Sequence, residues 1–136
     1  MARDLEQEAR NKALVLEAFD TLFNRRDFAA AGRYWSPDYV QHSAHIAPGR
    51  DGLFALVRSL QRRYEAALTI AEGDYVMLHG RFSGGGRPTK IVVDIVRIEG
   101  GHLAEHWDVM EDEVTRAESK SGLPMFGNQF PEEMSS

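Results

Sequence analysis

Two aspartates and a histidine carry the chemistry that this sequence could do. Asp94 interrupts the apolar run Ile91-Val92-Val93-Asp94-Ile95-Val96. A carboxylate in such a run is costly unless it has a partner, and Arg97 or His106 could supply one. Asp108 follows Glu105-His106-Trp107, and His42 ends the extended stretch Tyr39-Val40-Gln41-His42. A carboxyl group walled in by apolar side chains holds its proton to higher pH, because burial penalises the charged form, and a second carboxylate nearby acts in the same direction. Such a group can remove a proton α to a carbonyl and return it. Asp108 is therefore the candidate general acid/base, with Asp94 assisting. His42 is the candidate partner, hydrogen-bonding Asp108 or donating to a substrate carbonyl. His106, Trp107, Tyr34, Trp35 and Phe126 are candidate substrate contacts.

Other chemistries find little support. His42 and His45 are three residues apart, and His102 and His106 are four apart. Four residues along a strand is ~13 Å, too far for one ion. A site assembled from His42, His106 and Asp108 would need a particular fold, so no metal is expected. With no cysteine, thiol nucleophiles, disulfides and Cys-ligated zinc are excluded. The glycine-rich stretch Gly80 to Gly86 lacks the Lys-Ser/Thr and the following helix of a phosphate loop. No Gly-x-Ser-x-Gly nucleophile elbow occurs. No cofactor is expected.

The elements that would position these residues divide into a helical first half and a strand-rich second half, an α+β order. A helix is expected from Asp4 to Phe23, with Leu5, Ala9, Ala13, Leu16, Phe19 and Phe23 on its buried stripe. A short helix should follow from Asp27 to Tyr34, capped by Asp27, and a third should span Asp51 to Ala66. From Leu68 the period changes to two. Leu68–Glu72, Tyr75–Phe82, Lys90–Ile98 and His102–Val114 are strand candidates, joined by glycine-containing turns into antiparallel hairpins. The tail should wrap the outside, with 129–136 loose.

The last hairpin decides which side chains share a face. A three-residue loop Glu99-Gly100-Gly101 would pair Ile98 with His102 and Asp94 with His106. It would put Val92, Asp94, Val96, Ala104, His106, Asp108 and Met110 on one face, with Leu103, Trp107 and Val109 on the other. A two-residue loop would separate Asp94 from Asp108, and a bulge would change the facing again.

The chain has 136 residues, 16 Lys+Arg against 21 Asp+Glu, and a net charge of −5. One domain over 1–136 is expected. A mildly acidic chain without a basic run is a poor binder of nucleic acid or anionic membrane. No apolar run approaches the ~20 residues needed to cross a bilayer. The charged start Met1 to Glu6 does not read as a secretory leader, so a cytoplasmic protein is expected. The apolar outer face of the sheet predicts a homodimer packed sheet to sheet.

Tyr39-Val40-Gln41-His42, then Gly49-Arg50-Asp51-Gly52 opening a helix, then Asp94 to Val109 with its Glu-His-Trp-Asp, together resemble the SnoaL-like polyketide cyclase family of the NTF2-like superfamily. The similarity covers about residues 5 to 128. It implies a cone-shaped α+β barrel in which three N-terminal helices pack on a curved antiparallel sheet around an internal pocket. It further implies cofactor-free acid–base chemistry and a homodimer. In the cyclases an aspartate on the last long strand is the acid/base, a position Asp108 matches. Asp94 falls where those enzymes often have histidine, a departure that bears on the exact reaction. The expected function is aldol or ester cyclisation, or isomerisation, of a small and largely apolar carbonyl compound. The alternatives are a non-catalytic small-ligand-binding module, or a hydrolase resembling the epoxide hydrolases in which Asp108 activates water.

Overall fold

The computed structural model describes residues 3–134. Met1 and Ala2, and the last two residues of the tail expected to be loose, lie outside the described residues. Helix α1 (Leu5–Phe19) runs into a π turn at Asp20–Asn24. Asp4 caps it, its carboxylate accepting from the Gln7 backbone N–H at 3.0 Å. Asp27 caps the single turn of α2 (Phe28–Ala31) in the same way, accepting from the Ala30 N–H at 3.1 Å. Strand β1 (Trp35–Gln41), helix α3 (Gly49–Ser59) and strands β2 (Arg63–Glu72), β3 (Tyr75–Ser83), β4 (Lys90–Glu99) and β5 (His102–Asp112) complete the α+β domain.

The buried face of α1 differs from the expected stripe. It comprises Glu8, Asn11, Val15, Ala18, Phe19 and Leu22, while Leu5 and Leu16 are exposed. Two polar side chains turn the helix this way. Glu8 accepts from the Gly73 N–H at 2.8 Å, and Asn11 donates to the Gly73 carbonyl at 3.3 Å. The tight β2–β3 turn is thereby tied to the helix.

Helix α3 ends at Ser59, short of the expected Ala66. Arg26, with a φ of 53°, donates to the carbonyls of Val57 at 2.8 Å and Leu60 at 2.7 Å, satisfying groups that a helix end leaves open. Asn24 then takes both backbone groups of Tyr64, accepting from its N–H at 2.8 Å and donating to its carbonyl at 2.9 Å. The chain is committed to β2 from Arg63 rather than from Leu68.

Five strands form one curved sheet in the order β1-β5-β4-β3-β2. The three expected hairpins are present and antiparallel. β1 instead pairs parallel with β5, matching Gln41 to His106, which corrects the expectation of a wholly antiparallel sheet. The sheet is not closed, with β1 and β2 as its edges. On its concave side the core gathers around Trp35 and Tyr64. The Phe19 ring stacks on Trp35 at 6.1 Å and meets Tyr64 edge-on at 5.2 Å. Among the described residues no helix is long and apolar enough to cross a membrane.

The tail covers one end of the convex face. Phe126 is buried there beneath the Arg81 guanidinium, 4.7 Å from the ring centroid. Phe130 is also buried, and Arg116 pairs with Glu133 at 2.8 Å. The expectation of a loose tail therefore fails over Phe130 to Glu133, because Phe130 has apolar surface to bury and finds a site for it.

Gly80 lets Tyr64 lie flat against β3, since a Cβ there would come within 2.5 Å of the Tyr64 ring and hydroxyl. Gly80→Ala should destabilise the fold by about 1–3 kcal/mol, read as a lower urea midpoint at unchanged m-value. An unchanged midpoint would mean that Tyr64 is free to move.

Candidate functional site

The β4–β5 hairpin assembles the site by a route different from the three-residue loop. Glu99 pairs with His102 across a two-residue turn, Gly100-Gly101, with φ of 58° and 77°, the left-handed pair that suits a twisted hairpin. Arg97 pairs with Glu105 but Ile98 with Leu103, so Ala104 is the extra residue of a bulge. The bulge restores the phase that a two-residue turn alone would have lost. Asp94 lies directly opposite Asp108, and Val96 opposite His106. The grouping of Val92, Asp94, Val96, His106, Asp108 and Met110 on the concave face thus stands. Leu103 is the exception: expected outside, it is buried and lines the cavity.

Between helices and sheet is a cavity of about 660 Å³. Its walls are mainly apolar, among them Phe19, Phe23, Trp35, Val57, Phe82 and Met110. Asp94, His106 and Asp108 line its sheet side, together with Tyr39 from β1 and Lys90 at the start of β4. Asp94 is 3% exposed and His106 6%, whereas Asp108 is half-buried. His106 Nε2 lies 2.6 Å from Asp94 Oδ1, and its Nδ1 lies 2.7 Å from Gln41 Oε1. Gln41 is oriented in turn: its Oε1 accepts from the Ser43 backbone N–H at 2.9 Å, and its Nε2 donates to the Tyr39 hydroxyl at 3.0 Å.

This chain of bonds fixes a proton. A backbone N–H can only donate, so the Gln41 atom facing Ser43 is the oxygen, and His106 Nδ1 must present N–H to it. One further proton lies between Nε2 and Asp94, as an ion pair or as a neutral acid and base. Burial pushes the Asp94 carboxyl above the usual carboxylate range, opposed by the bond from His106 and reinforced by the charge of Asp108. Asp94 Oδ2 is buried without a partner, which also favours the neutral form. Burial likewise raises the Tyr39 hydroxyl, so it remains a phenol at neutral pH.

Asp94, His106 and Asp108 each present an atom that could ligate a metal, all within 4.8 Å of one another. Both nitrogens of His106 are already engaged by protein groups, however, and an ion would have to break the 2.6 Å contact with Asp94.

Not every expected residue arrives. Trp35 lines the cavity. His42 does not approach Asp108: it stands on the convex face, stacked on Trp107 at 4.8 Å with Nε2 2.6 Å from Glu105. Along β1, Tyr39 and Gln41 turn inward, while Val40 and His42 turn outward. Trp107 is outside for the same reason of alternation on β5. Phe126 belongs to the tail and packs on the convex face against Arg81 and His79, and Tyr34 packs against the core without lining the cavity. The period of two in Tyr39-Val40-Gln41-His42 puts the missed residues, Tyr39 and Gln41, on one face together, and the pairing of Gln41 with His106 makes that face the inward one.

The sequence profile of the SnoaL-like domain matches residues 15–106. The chain belongs to the SnoaL-like family, and its fold is that of the NTF2-like proteins. A candidate ketosteroid isomerase from Kribbella flavida DSM 17836 superposes with a TM-score of 0.71 at 13% identity, over 90% of this chain and 96% of that one. AclR, a candidate hydroxylase from Streptomyces galilaeus, gives 0.64 at 26% identity, over 77% and 81%. A candidate polyketide cyclase from Acidithiobacillus ferrooxidans gives 0.63 at 17% identity, over 74% and 87%. No curated protein matches the sequence.

Asp94 should make stability fall as pH rises. Unfolded, it releases its proton near the ordinary value of about 3.9. Folded, it keeps that proton to higher pH. Between the two values the folded state binds more protons, so stability declines with pH through that window. Asp94→Asn, which can still donate to His106 Nε2, should remove the decline. Urea unfolding from pH 4 to 8 would then show the variant gaining on wild type, whereas parallel curves would mean Asp94 is ionised throughout.

Proposed function

We propose that the chain is an enzyme that moves a proton at carbon without a cofactor, acting on a small, largely apolar carbonyl compound. The observation that carries this reading is Asp108: a half-buried carboxyl at the wall of an apolar cavity, directly across the ladder from Asp94, whose own carboxyl meets His106. Asp108, as the anion, takes the proton α to the carbonyl. The Tyr39 hydroxyl already accepts from Gln41, which leaves its own O–H to donate to the carbonyl oxygen as charge develops there. Asp94 and His106 hold their shared proton beside Asp108. Once Asp108 is protonated, it returns the proton to a different carbon, or the enolate attacks a second carbonyl and Asp108 gives its proton to the alkoxide that forms. Isomerisation follows in the first case, aldol-type cyclisation in the second. The names of isomerase and polyketide cyclase carried by structural neighbours agree with this class.

Deuterium uptake tests the reading directly. Wild type should exchange the α-protons of an apolar ketone such as 2-tetralone in D₂O, followed by proton NMR, faster than buffer does. Asp108→Asn should lower the catalysed rate by about 10²-fold or more, and Tyr39→Phe by about 10²-fold. Equal rates for wild type and Asp108→Asn would remove Asp108 from the role.

We also propose a homodimer through the convex face. Ile70, Met77, Ile95 and Trp107 are successive register partners across four strands. Ile70 is 60% and the neighbouring Val109 76% exposed. A stripe of this extent calls for a partner surface, and the tail leaves it uncovered. Sedimentation should give twice the chain mass of 15.3 kDa, and Met77→Glu should give the monomer. A wild-type monomer at 100 μM would refute the interface.

A further inference from the structure

The two ends of the cavity differ in charge. Asp94 and Asp108 occupy the sheet wall, while Arg62, Arg87 and Lys90 line the cavity beside the β3–β4 loop, and His45 lines it from the loop after β1. Arg62 is built into that loop. It donates to the carbonyls of Gly84 at 2.6 Å, Pro88 at 2.8 Å, Arg87 at 3.2 Å and Phe82 at 3.3 Å. Its charge is thus held in place without any carboxylate to balance it. Burial lowers its proton affinity, and the positive charge of Arg87 lowers it further; both side chains line the cavity. Lys90 is paired with Asp112. Among the described residues the Arg87 side chain makes no hydrogen bond or ion pair, and neither does the His45 ring.

A chain of net charge −5 that gathers uncompensated cations at one cavity mouth focuses a positive potential there. An anionic group on a ligand would relieve the repulsion between Arg62 and Arg87, and Arg87 is free to close on it through paired N–H donors. The same group would be repelled at the other end by Asp108. We infer that the substrate is an amphipathic acid: its apolar body fills the cavity, its carbonyl carbon lies at Asp108, and its carboxylate or other anionic end is held at the mouth by Arg87 and Arg62. The orientation rests on the proton-transfer reading above, but the anion preference does not.

The test compares two ligands alike in shape, 2-naphthylacetate and the neutral 2-naphthylacetamide, by calorimetry at low salt. Wild type should bind the acid about ten times more tightly than the amide, and the ratio should shrink at 1 M NaCl. Arg87→Gln should cut the ratio severalfold, to the share that Arg62 supplies, and should affect the acid far more than the amide. 2-Naphthyl phosphate as a third ligand distinguishes a carboxylate site from a general anion site. Equal affinity of acid and amide for wild type would overturn the inference and leave the apolar cavity intact. An acid preference undiminished in Arg87→Gln would overturn the assignment of Arg87. Failure of both ligands to bind at millimolar concentration would overturn the inference and the small-apolar-substrate reading together.

Discussion

The contact between Asp94 and His106, 2.6 Å long and closed to solvent, holds one proton between two groups that water would otherwise solvate. Its consequences spread outward. A buried imidazole with one nitrogen toward a carboxyl must satisfy the other, and Gln41 does so from the neighbouring strand. Gln41 can serve only if its amide cannot flip, which the Ser43 backbone N–H ensures. That in turn requires β1 to lie parallel to β5 with Gln41 beside His106. The parallel edge, the loop after β1 and the bulge at Ala104 are all conditions for keeping one shared proton in one place.

The cavity wall combines aromatic packing with polar bonds set behind it. Phe19, Trp35 and Tyr64 pack against one another, and Phe23 and Phe82 extend the set toward the mouth. Side chains of this kind bury large areas with few rotatable bonds. Two backbone devices hold them. Asn24 fixes both backbone groups of Tyr64, and Gly80 removes the Cβ that would push its ring away. The cavity wall therefore depends on polar anchors placed behind the apolar surface that a ligand would touch.

Much of this was legible in the sequence. Alternation along 90–114 places Asp94, His106 and Asp108 on one face, because a turn of two residues followed by a one-residue bulge gives the same phase as a turn of three. Glycine-containing turns mark all three hairpins. What was not legible depended on contacts distant in sequence. The imidazole of His42 draws attention, but only the pairing of β1 with β5 reveals that the inward residues are Tyr39 and Gln41. Glu8 and Asn11 look like surface residues of α1 until the Gly73 turn is seen against them. The end of α3 is set by Arg26 and Asn24, more than thirty residues earlier in the chain, and no local pattern near Leu60 announces it.

The molecule holds a second buried ionic cluster, and the contrast with it bears on function. Arg81, 3% exposed, is matched to Glu113 and to the Gln129 carbonyl beneath Phe126. There a buried charge meets its opposite, several donors are used, and the result fastens the tail to the sheet. Such a pair is a structural solution, since removing either partner would strand the other charge. Asp94 is handled differently. It faces no arginine, its second oxygen has no partner, and a like-charged Asp108 stands opposite. Had the fold needed only to neutralise a carboxylate, the Arg81 arrangement was within its means. A carboxyl bonded to an imidazole, left half-satisfied and set against a second carboxyl in an apolar cavity, costs stability and leaves a proton that can be moved. That cost falls on the sheet wall of the cavity, open to whatever enters it.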